Sequence, residues 1–244
     1  MNAYIIASAV LAVICLVFMW PFLFAQRPGK SKKSLSLKMT AATAYLLAGI
    51  LLFLNAKKDG GVSRFHSFML LGLIASWLGD LFLHIPGKHT KKFFALGMAF
   101  FFSAHIIYTI AYSFGQLDLT ENKQFLPIWG YCVVVGIIIA AIILLIIKKF
   151  HFGPVFIPFM IYGFILNTMM TKAVVFSLSA LSSGVTSSFG AVLLSVGAVM
   201  FFLSDYSLAG IIAFKNKNFG VKIFNIVTYF VAQILLAYSI IAIG

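Results

Sequence analysis

The fold of this chain is decided by apolar runs such as residues 65–85, FHSFMLLGLIASWLGDLFLHI. A helix needs about 20 apolar residues to cross the hydrocarbon core of a bilayer, and this run is long enough. It also carries an acid, Asp80, among apolar side chains. A carboxylate in hydrocarbon costs about 2.5–3.5 kcal/mol even on the lenient insertion scale, so Asp80 indicates a functional site.

Seven further apolar runs fill the rest of the chain, at residues 3–25, 39–56, 93–114, 127–147, 154–176, 187–213 and 221–243. The sequence is 62% hydrophobic and only 9% charged, a balance typical of membrane proteins. We therefore predict an all-α fold, a single polytopic membrane helix bundle of about eight transmembrane helices over residues 1–244. The Ser- and Gly-rich residues 177–188 form either an external loop or a broken helix lining a cavity.

Lysine and arginine are unevenly distributed over the polar connections between the runs. The connections after the first, third, fifth and seventh runs carry 13 of them: Arg27, Lys30, Lys32, Lys33, Lys38, Lys88, Lys91, Lys92, Lys148, Lys149, Lys215, Lys217 and Lys222. The other connections carry four: Lys57, Lys58, Arg64 and Lys123. The positive-inside rule places the richer set in the cytoplasm, so both termini are predicted to lie outside. The expected location is the plasma or inner membrane, as a multi-pass protein.

The formal net charge is +13, which in a soluble protein would suggest nucleic acid as a partner. Here the basic residues lie in short connections, where membrane topology explains them. The sequence offers no solvated basic face for phosphate contacts, so no nucleic-acid partner is expected. Membrane lipids are the expected surroundings of the chain.

A second acid, Asp205, lies in the apolar stretch MFFLSDYSLA at residues 200–209. The predicted topology runs its helix in the same direction as the helix of Asp80, and both acids fall in the cytoplasmic half. We therefore predict that Asp80 and Asp205 face one cavity. The remaining acids, Asp59, Asp118 and Glu121, lie in polar connections.

Other polar side chains in the apolar runs are candidates for binding a substrate or supporting the acids: His105, Tyr108, Asn167, Ser204, Tyr229 and Gln233. His105 and Tyr108 are three residues apart, which puts them on one helix face. Tyr229 and Gln233 are four apart and share a face for the same reason. Interfacial anchoring or interhelical hydrogen bonding is the alternative explanation for such residues.

Two further ionisable side chains have plainer explanations. Lys172 lies toward the outer end of its run, where its amine is expected to snorkel to water. His84, one turn after Asp80, is expected at the cytoplasmic interface. The sequence contains no serine nucleophile elbow, HExxH zinc motif or phosphate-binding glycine loop, and its histidines lack metal-ligand spacing. No metal or other cofactor is expected.

These motifs resemble those of the lysoplasmalogenase-like (YhhN) family of membrane proteins. The matching stretches are residues 78–83 (LGDLFL), Gly97 with residues 101–108 (FFSAHIIY), residues 197–205 (GAVMFFLSD) and residues 228–235 (TYFVAQIL). Their order and spacing agree from the third helix to the eighth, whereas the first two helices match only in hydropathy. The resemblance implies an eight-helix membrane hydrolase. Its substrate would be a lysophospholipid, a lysoplasmalogen, cleaved at the vinyl ether bond to a fatty aldehyde and a glycerophospho-ethanolamine or -choline.

Two carboxyl groups suit that reaction, because it needs a proton delivered to carbon and a cation stabilised until water adds. On this hypothesis Asp80 and Asp205 are catalytic, and which of them is the acid stays open. The phosphate has candidate partners in the basic connections, although topology alone also explains them: Lys88, Lys91, Lys92, Lys215 and Lys217. The alternatives are a proton- or cation-coupled transporter using the same acids, and a receptor or scaffold with a structural polar core.

Overall fold

A computed structural model describes residues 2–27, 29–59, 61–147, 156–214 and 218–243. Its helices are α1 (Ala3–Ala25), α2 (Lys32–Asp59), α3 (Arg64–His84), α4 (Thr90–Leu119), α5 (Ile128–Ile147), α6 (Phe156–Ser182), α7 (Ser188–Ala213) and α8 (Phe219–Tyr238), followed by a short 3-10 helix (Ser239–Ile241). Eight helices in these described ranges are long and apolar enough to cross a membrane, which confirms the predicted all-α bundle. The outward orientation of both termini stays a prediction.

The bundle is built from neighbouring antiparallel helices. Helix α1 packs along α2, α3 along α4, and α7 along α8, while α6 joins α4 to α7. Helix α8 also contacts α2 and α3, which closes the bundle around a buried apolar core. Within the described residues, α5 packs only against α6.

Small residues allow α3 and α4 to approach closely. A Cβ atom added to Gly97 would lie 2.6 Å from the backbone nitrogen of Leu83, so the two backbones are in direct contact there. A Cβ atom added to Gly79 would lie 2.8 Å from the ring of Phe101. Close backbone approach through small residues is the usual way in which membrane helices pack. It fixes the depth of Asp80, which follows Gly79 on α3.

Several boundaries differ from the prediction, and three of the differences bear on the polar segments. The second helix begins at Lys32 rather than at residue 39, so Lys38 lies within α2 instead of in a connection. The eighth apolar run ends as a 3-10 helix after Tyr238. Residues 177–182 continue α6, and α7 begins at Ser188, so the Ser- and Gly-rich segment is mostly helix with a short turn. The hydroxyl of Ser177 donates to the carbonyl oxygen of Ala191 at 2.7 Å, which holds that turn against the bundle.

Candidate functional site

Asp80 is the centre of a buried ion pair with additional hydroxyl donors. The Nζ atom of Lys38 lies 2.9 Å from its Oδ1 atom, and the two side chains are 8% and 0% exposed. The hydroxyl groups of Tyr45 and Tyr229 donate to its Oδ2 atom at 2.9 Å and 2.6 Å. Helices α2, α3 and α8 thus converge on one carboxylate. A buried charge is tolerated when it is paired and hydrogen-bonded in this way.

Asp205 has a different set of partners. Its Oδ2 atom lies 3.0 Å from the Nε2 atom of His105 and accepts a hydrogen bond from the hydroxyl of Tyr162. The Nδ1 atom of His105 has no partner among the described residues, so the ring meets Asp205 through its Nε2 atom. No described protein group hydrogen-bonds to the Oδ1 atom of Asp205, and the residue is 8% exposed. One oxygen is therefore held and the other is free to meet a ligand.

Both acids line one cavity of about 250 Å³. It lies where the last turns of α1, α3 and α7 meet the first turns of α2, α4 and α8. Polar groups on its wall include Lys30, Lys38, His84, Ser204 and Asn225. We call this space the acid cavity.

A second cavity of about 360 Å³ lies between α5, α6 and α7, and we call it the α5–α7 groove. Its wall is almost entirely apolar, with Ile138, Leu144, Phe159 and Leu166 among its members. Asp205 is on the wall of the groove as well as on that of the acid cavity. The carboxyl group of Asp205 therefore stands where a polar space adjoins an apolar one.

The structure places some of the predicted supporting residues at these two spaces. Tyr229 binds Asp80 as described above, and His105 binds Asp205. The hydroxyl of Ser204 donates to the backbone carbonyl of Asn225 at 3.0 Å, on the wall of the acid cavity.

The other predicted residues lie away from the acids. The amide of Asn167 donates to the hydroxyl of Tyr206 at 2.9 Å, beside the groove. Tyr108 is fully buried in the core, with its hydroxyl 3.4 Å from that of Ser76, and it lines neither cavity. Gln233 is also fully buried, and its amide atoms meet no hydrogen-bond partner within the described ranges. Tyr108 and Gln233 thus contribute to the core rather than to a cavity wall.

Sequence reasoning missed Lys38, Tyr45 and Tyr162, which contact the two carboxylates. Lys38 was counted as part of a connection because its helix extends beyond the apolar run. It precedes Tyr45 by seven residues, which is two helical turns, so the pair shares a face of α2. That spacing is the signal that would have found them. Tyr162 stands in an apolar run, and no sequence pattern there distinguishes it from a packing residue.

Two ionisable groups are buried by the protein. His84, the last residue of α3, lies on the wall of the acid cavity, with Nε2 2.9 Å from the hydroxyl of Ser34, and its place at the cytoplasmic interface stays a prediction. Lys172 does not snorkel to water, because Nζ donates to Oε1 of Gln116 at 2.6 Å and to the carbonyl of Phe125 at 2.8 Å. Each polar group finds a partner inside the protein, which removes the need for water.

The basic residues considered for a phosphate are not those that line the cavity. Lys88, Lys91 and Lys92 are exposed and belong to neither cavity wall. The other two candidates for the phosphate, Lys215 and Lys217, lie outside the described residues. Lys148 and Lys149, which were used to predict the orientation, also lie outside them. Lys30 and Lys38 line the acid cavity instead. Partial burial and the nearby Lys38 charge lower the pKa of Lys30 from its usual value.

Eight apolar helices around two buried carboxylate networks define a multi-pass membrane protein with an internal polar site. Comparison with known protein families identifies which one: residues 35–240 match the YhhN family, and the chain belongs to it. The match includes both acids and every residue that contacts them, but not α1. No curated protein and no solved structure matches the chain.

Proposed function

We propose that this protein is a membrane-embedded hydrolase that cleaves the vinyl ether bond of lysoplasmalogen-type lysophospholipids. The products are a fatty aldehyde and a glycerophospho-ethanolamine or -choline. The proposal is carried by one observation: two carboxyl groups with different partners lie on one cavity. Membership of the YhhN family, to which lysoplasmalogenases are related, supports the same reaction.

The two environments suggest separate roles. Asp205 is the proposed acid, because its Oδ1 atom is free to carry a proton toward a ligand while Oδ2 accepts from Tyr162. Asp80 is the proposed anion, because an ammonium group and two hydroxyl groups surround it. A neutral acid and a charged partner are the pair that cleavage through an oxocarbenium-like cation requires.

The reaction balances with one water molecule. Asp205 gives its proton to the vinyl carbon remote from the ether oxygen, and the π bond breaks. The resulting positive charge, shared by the other vinyl carbon and the oxygen, is stabilised by the Asp80 carboxylate across the cavity. Water adds to that carbon, and the proton it loses returns to Asp205. The hemiacetal then breaks its bond to the glycerol oxygen; the proton of the hemiacetal hydroxyl passes to that oxygen, which leaves as a hydroxyl group, and the aldehyde forms.

The test uses purified protein in detergent and three lysophospholipids that share a chain and headgroup: a vinyl ether, a saturated alkyl ether and an ester. Mass spectrometry would detect released aldehyde from the vinyl ether alone, because only that bond can be protonated at carbon to give the cation. Equal cleavage of the ester would contradict the mechanism. No cleavage of any lipid, together with gradient-driven uptake of a solute into proteoliposomes, would indicate a transporter.

Substitution of Asp205 tests whether its carboxyl group acts in the reaction or only in the structure. Asp205→Asn should lower turnover by about 10²-fold or more, the range for loss of a general acid, while the protein still folds. The matched control is Asp118→Asn, since Asp118 lies on the surface and pairs only with Arg64 in the described structure. Near-normal turnover of the Asp205 variant would remove Asp205 from the mechanism.

A further inference from the structure

The α5–α7 groove is an apolar space that adjoins the carboxyl-bearing residue Asp205. Its volume of about 360 Å³ lies in the usual range for sites that bind small ligands, about 300–1,000 Å³. Its walls offer apolar side chains along most of its surface, so they suit hydrocarbon and not a polar solute. The exception is the end formed by Tyr162, Asp205 and Tyr206.

The groove and the acid cavity share Asp205. A molecule that occupied both would pass Asp205, whose Oδ1 atom accepts no hydrogen bond from a described protein group. Its apolar part would lie between α5, α6 and α7, and its polar part would lie among the groups of the acid cavity. Lys30 is the cation there that does not pair with a carboxylate in the described structure; its Nζ atom donates to the carbonyl oxygen of Leu83 at 2.7 Å. An anionic phosphate would complement Lys30 and reduce its repulsion by Lys38.

Another cavity, between α1 and α2, is lined in part by Leu11, Ile14, Met39 and Leu47 and shares no residue with the acid cavity. Of these two spaces, only the groove reaches an acid, so it offers one hydrocarbon chain a place beside Asp205. An amphiphile with a single chain, which the proposed function requires, fits this arrangement.

We propose that the α5–α7 groove binds the hydrocarbon chain of a single-chain lysophospholipid, and that Gly163 and Gly210 set the chain length the site accepts. The first carbons of the chain lie at Asp205, and the phosphate lies near Lys30. This inference rests on the proposed function for the identity of the ligand, but its test does not depend on turnover.

The two glycines keep the groove open. A Cβ atom added to Gly210 would meet no atom within 4 Å, and one added to Gly163 would meet only the hydroxyl of Tyr206, at 3.9 Å. Both positions line the groove. A leucine at Gly210 would therefore place its Cβ atom in open space and extend into the part of the groove that the chain needs. It would also favour the helix, since leucine has the higher helix propensity.

The experiment uses photo-crosslinking with saturated alkyl ether lysophospholipids that carry a diazirine at the chain end. The wild-type protein, Gly210→Leu and Gly136→Leu are labelled in detergent, and the modified peptides are identified by mass spectrometry. Gly136 is the matched control: it lies on α5, outside the groove wall, and a Cβ atom there also meets nothing within 4 Å. Each variant is also titrated with unlabelled competitors that have chains of increasing length.

In the wild type, label is expected on α5, α6 or α7. Affinity, expressed against the concentration of free competitor monomer in water, should rise about fourfold for each added methylene until the groove is full. Gly210→Leu removes space for about two methylenes, so a long chain should bind about 15-fold more weakly while a short chain binds as before. Gly136→Leu should behave as the wild type.

Label confined to the α1–α2 cavity or absent in the wild type would overturn the proposal, as would equal chain-length profiles for both leucine variants. These outcomes are independent of the reaction. Cleavage of the vinyl ether with label elsewhere would refute the proposal that the groove binds the chain and leave the proposed hydrolase activity standing. Label in the groove without cleavage of any lipid would refute the hydrolase activity and leave the groove as the site that binds the chain.

Discussion

The ion pair between Lys38 and Asp80 permits a quantitative test of how the polar site is held. The two side chains are 8% and 0% exposed, so neither charge is solvated by bulk water. Lys38→Met would leave the Asp80 carboxylate with only the hydroxyl groups of Tyr45 and Tyr229. Breaking a buried pair by removal of one partner costs about 3–5 kcal/mol, because the remaining charge is buried without compensation.

The double variant Lys38→Met/Asp80→Asn removes both charges together. The asparagine carbonyl can still accept from the two tyrosines, so we expect the double variant to be more stable than Lys38→Met alone. The free energy of unfolding would be measured for the wild type, both single variants and the double variant by SDS titration in mixed micelles. The coupling energy from this cycle should exceed about 2 kcal/mol, since close charged pairs do not behave additively.

The exposed pair Arg64–Asp118 provides the control cycle. Its side chains are 56% and 27% exposed, so water screens the interaction. Exposed pairs contribute little to stability, so the Arg64→Ala/Asp118→Ala cycle should give a much smaller coupling energy than the Lys38–Asp80 cycle. If the Lys38–Asp80 cycle gave a value no larger than this control, the reasoning from burial would be refuted.

Three other predictions concern packing, a buried amine and topology. Gly97→Ala should destabilise the protein by about 1–3 kcal/mol, since its Cβ would lie 2.6 Å from the backbone nitrogen of Leu83, while Gly136→Ala should cost nothing measurable in the same SDS titration. Lys172→Met should cost about 1–3 kcal/mol by leaving the buried Gln116 amide oxygen without its donor, and a change below about 0.5 kcal/mol would contradict the hydrogen-bonded role. A reporter active only in the cytoplasm should give signal when it is fused after Gly29, Lys91, Lys149 or Asn216. Silence at two or more of these positions would refute the predicted orientation.

The helix count was predictable because it depends on hydropathy, a local property of the chain. Helix boundaries were less predictable, since hydropathy marks the apolar part of a helix and not the point where backbone hydrogen bonding starts. The second helix illustrates this: its first turns carry Lys32, Lys33 and Lys38, which look like a connection. Lys38 then meets Asp80 because the helix continues through these charges.

The acids were visible in the sequence because a charge in an apolar run is costly and therefore rare. The residues that contact the acids could not be recognised in the sequence in the same way. Tyr45 and Tyr162 are amphipathic and occur in membrane helices as packing residues and anchors, so their presence carries little information. Which tyrosine reaches which carboxylate depends on how helices distant in sequence pack. The same dependence explains why Tyr108, on the same face as His105, lies in the core.

Helix α5 differs from its neighbours in what stabilises it. Because it packs only against α6 within the described residues, most of its surface faces lipid, and its free energy depends on the bilayer as much as on the protein. Among the described side chains of α5, none hydrogen-bonds or pairs with either carboxylate. On the proposed function, a change in membrane thickness would displace this wall of the groove and leave the acid networks intact, so bilayer composition would affect binding of the chain separately from the reaction.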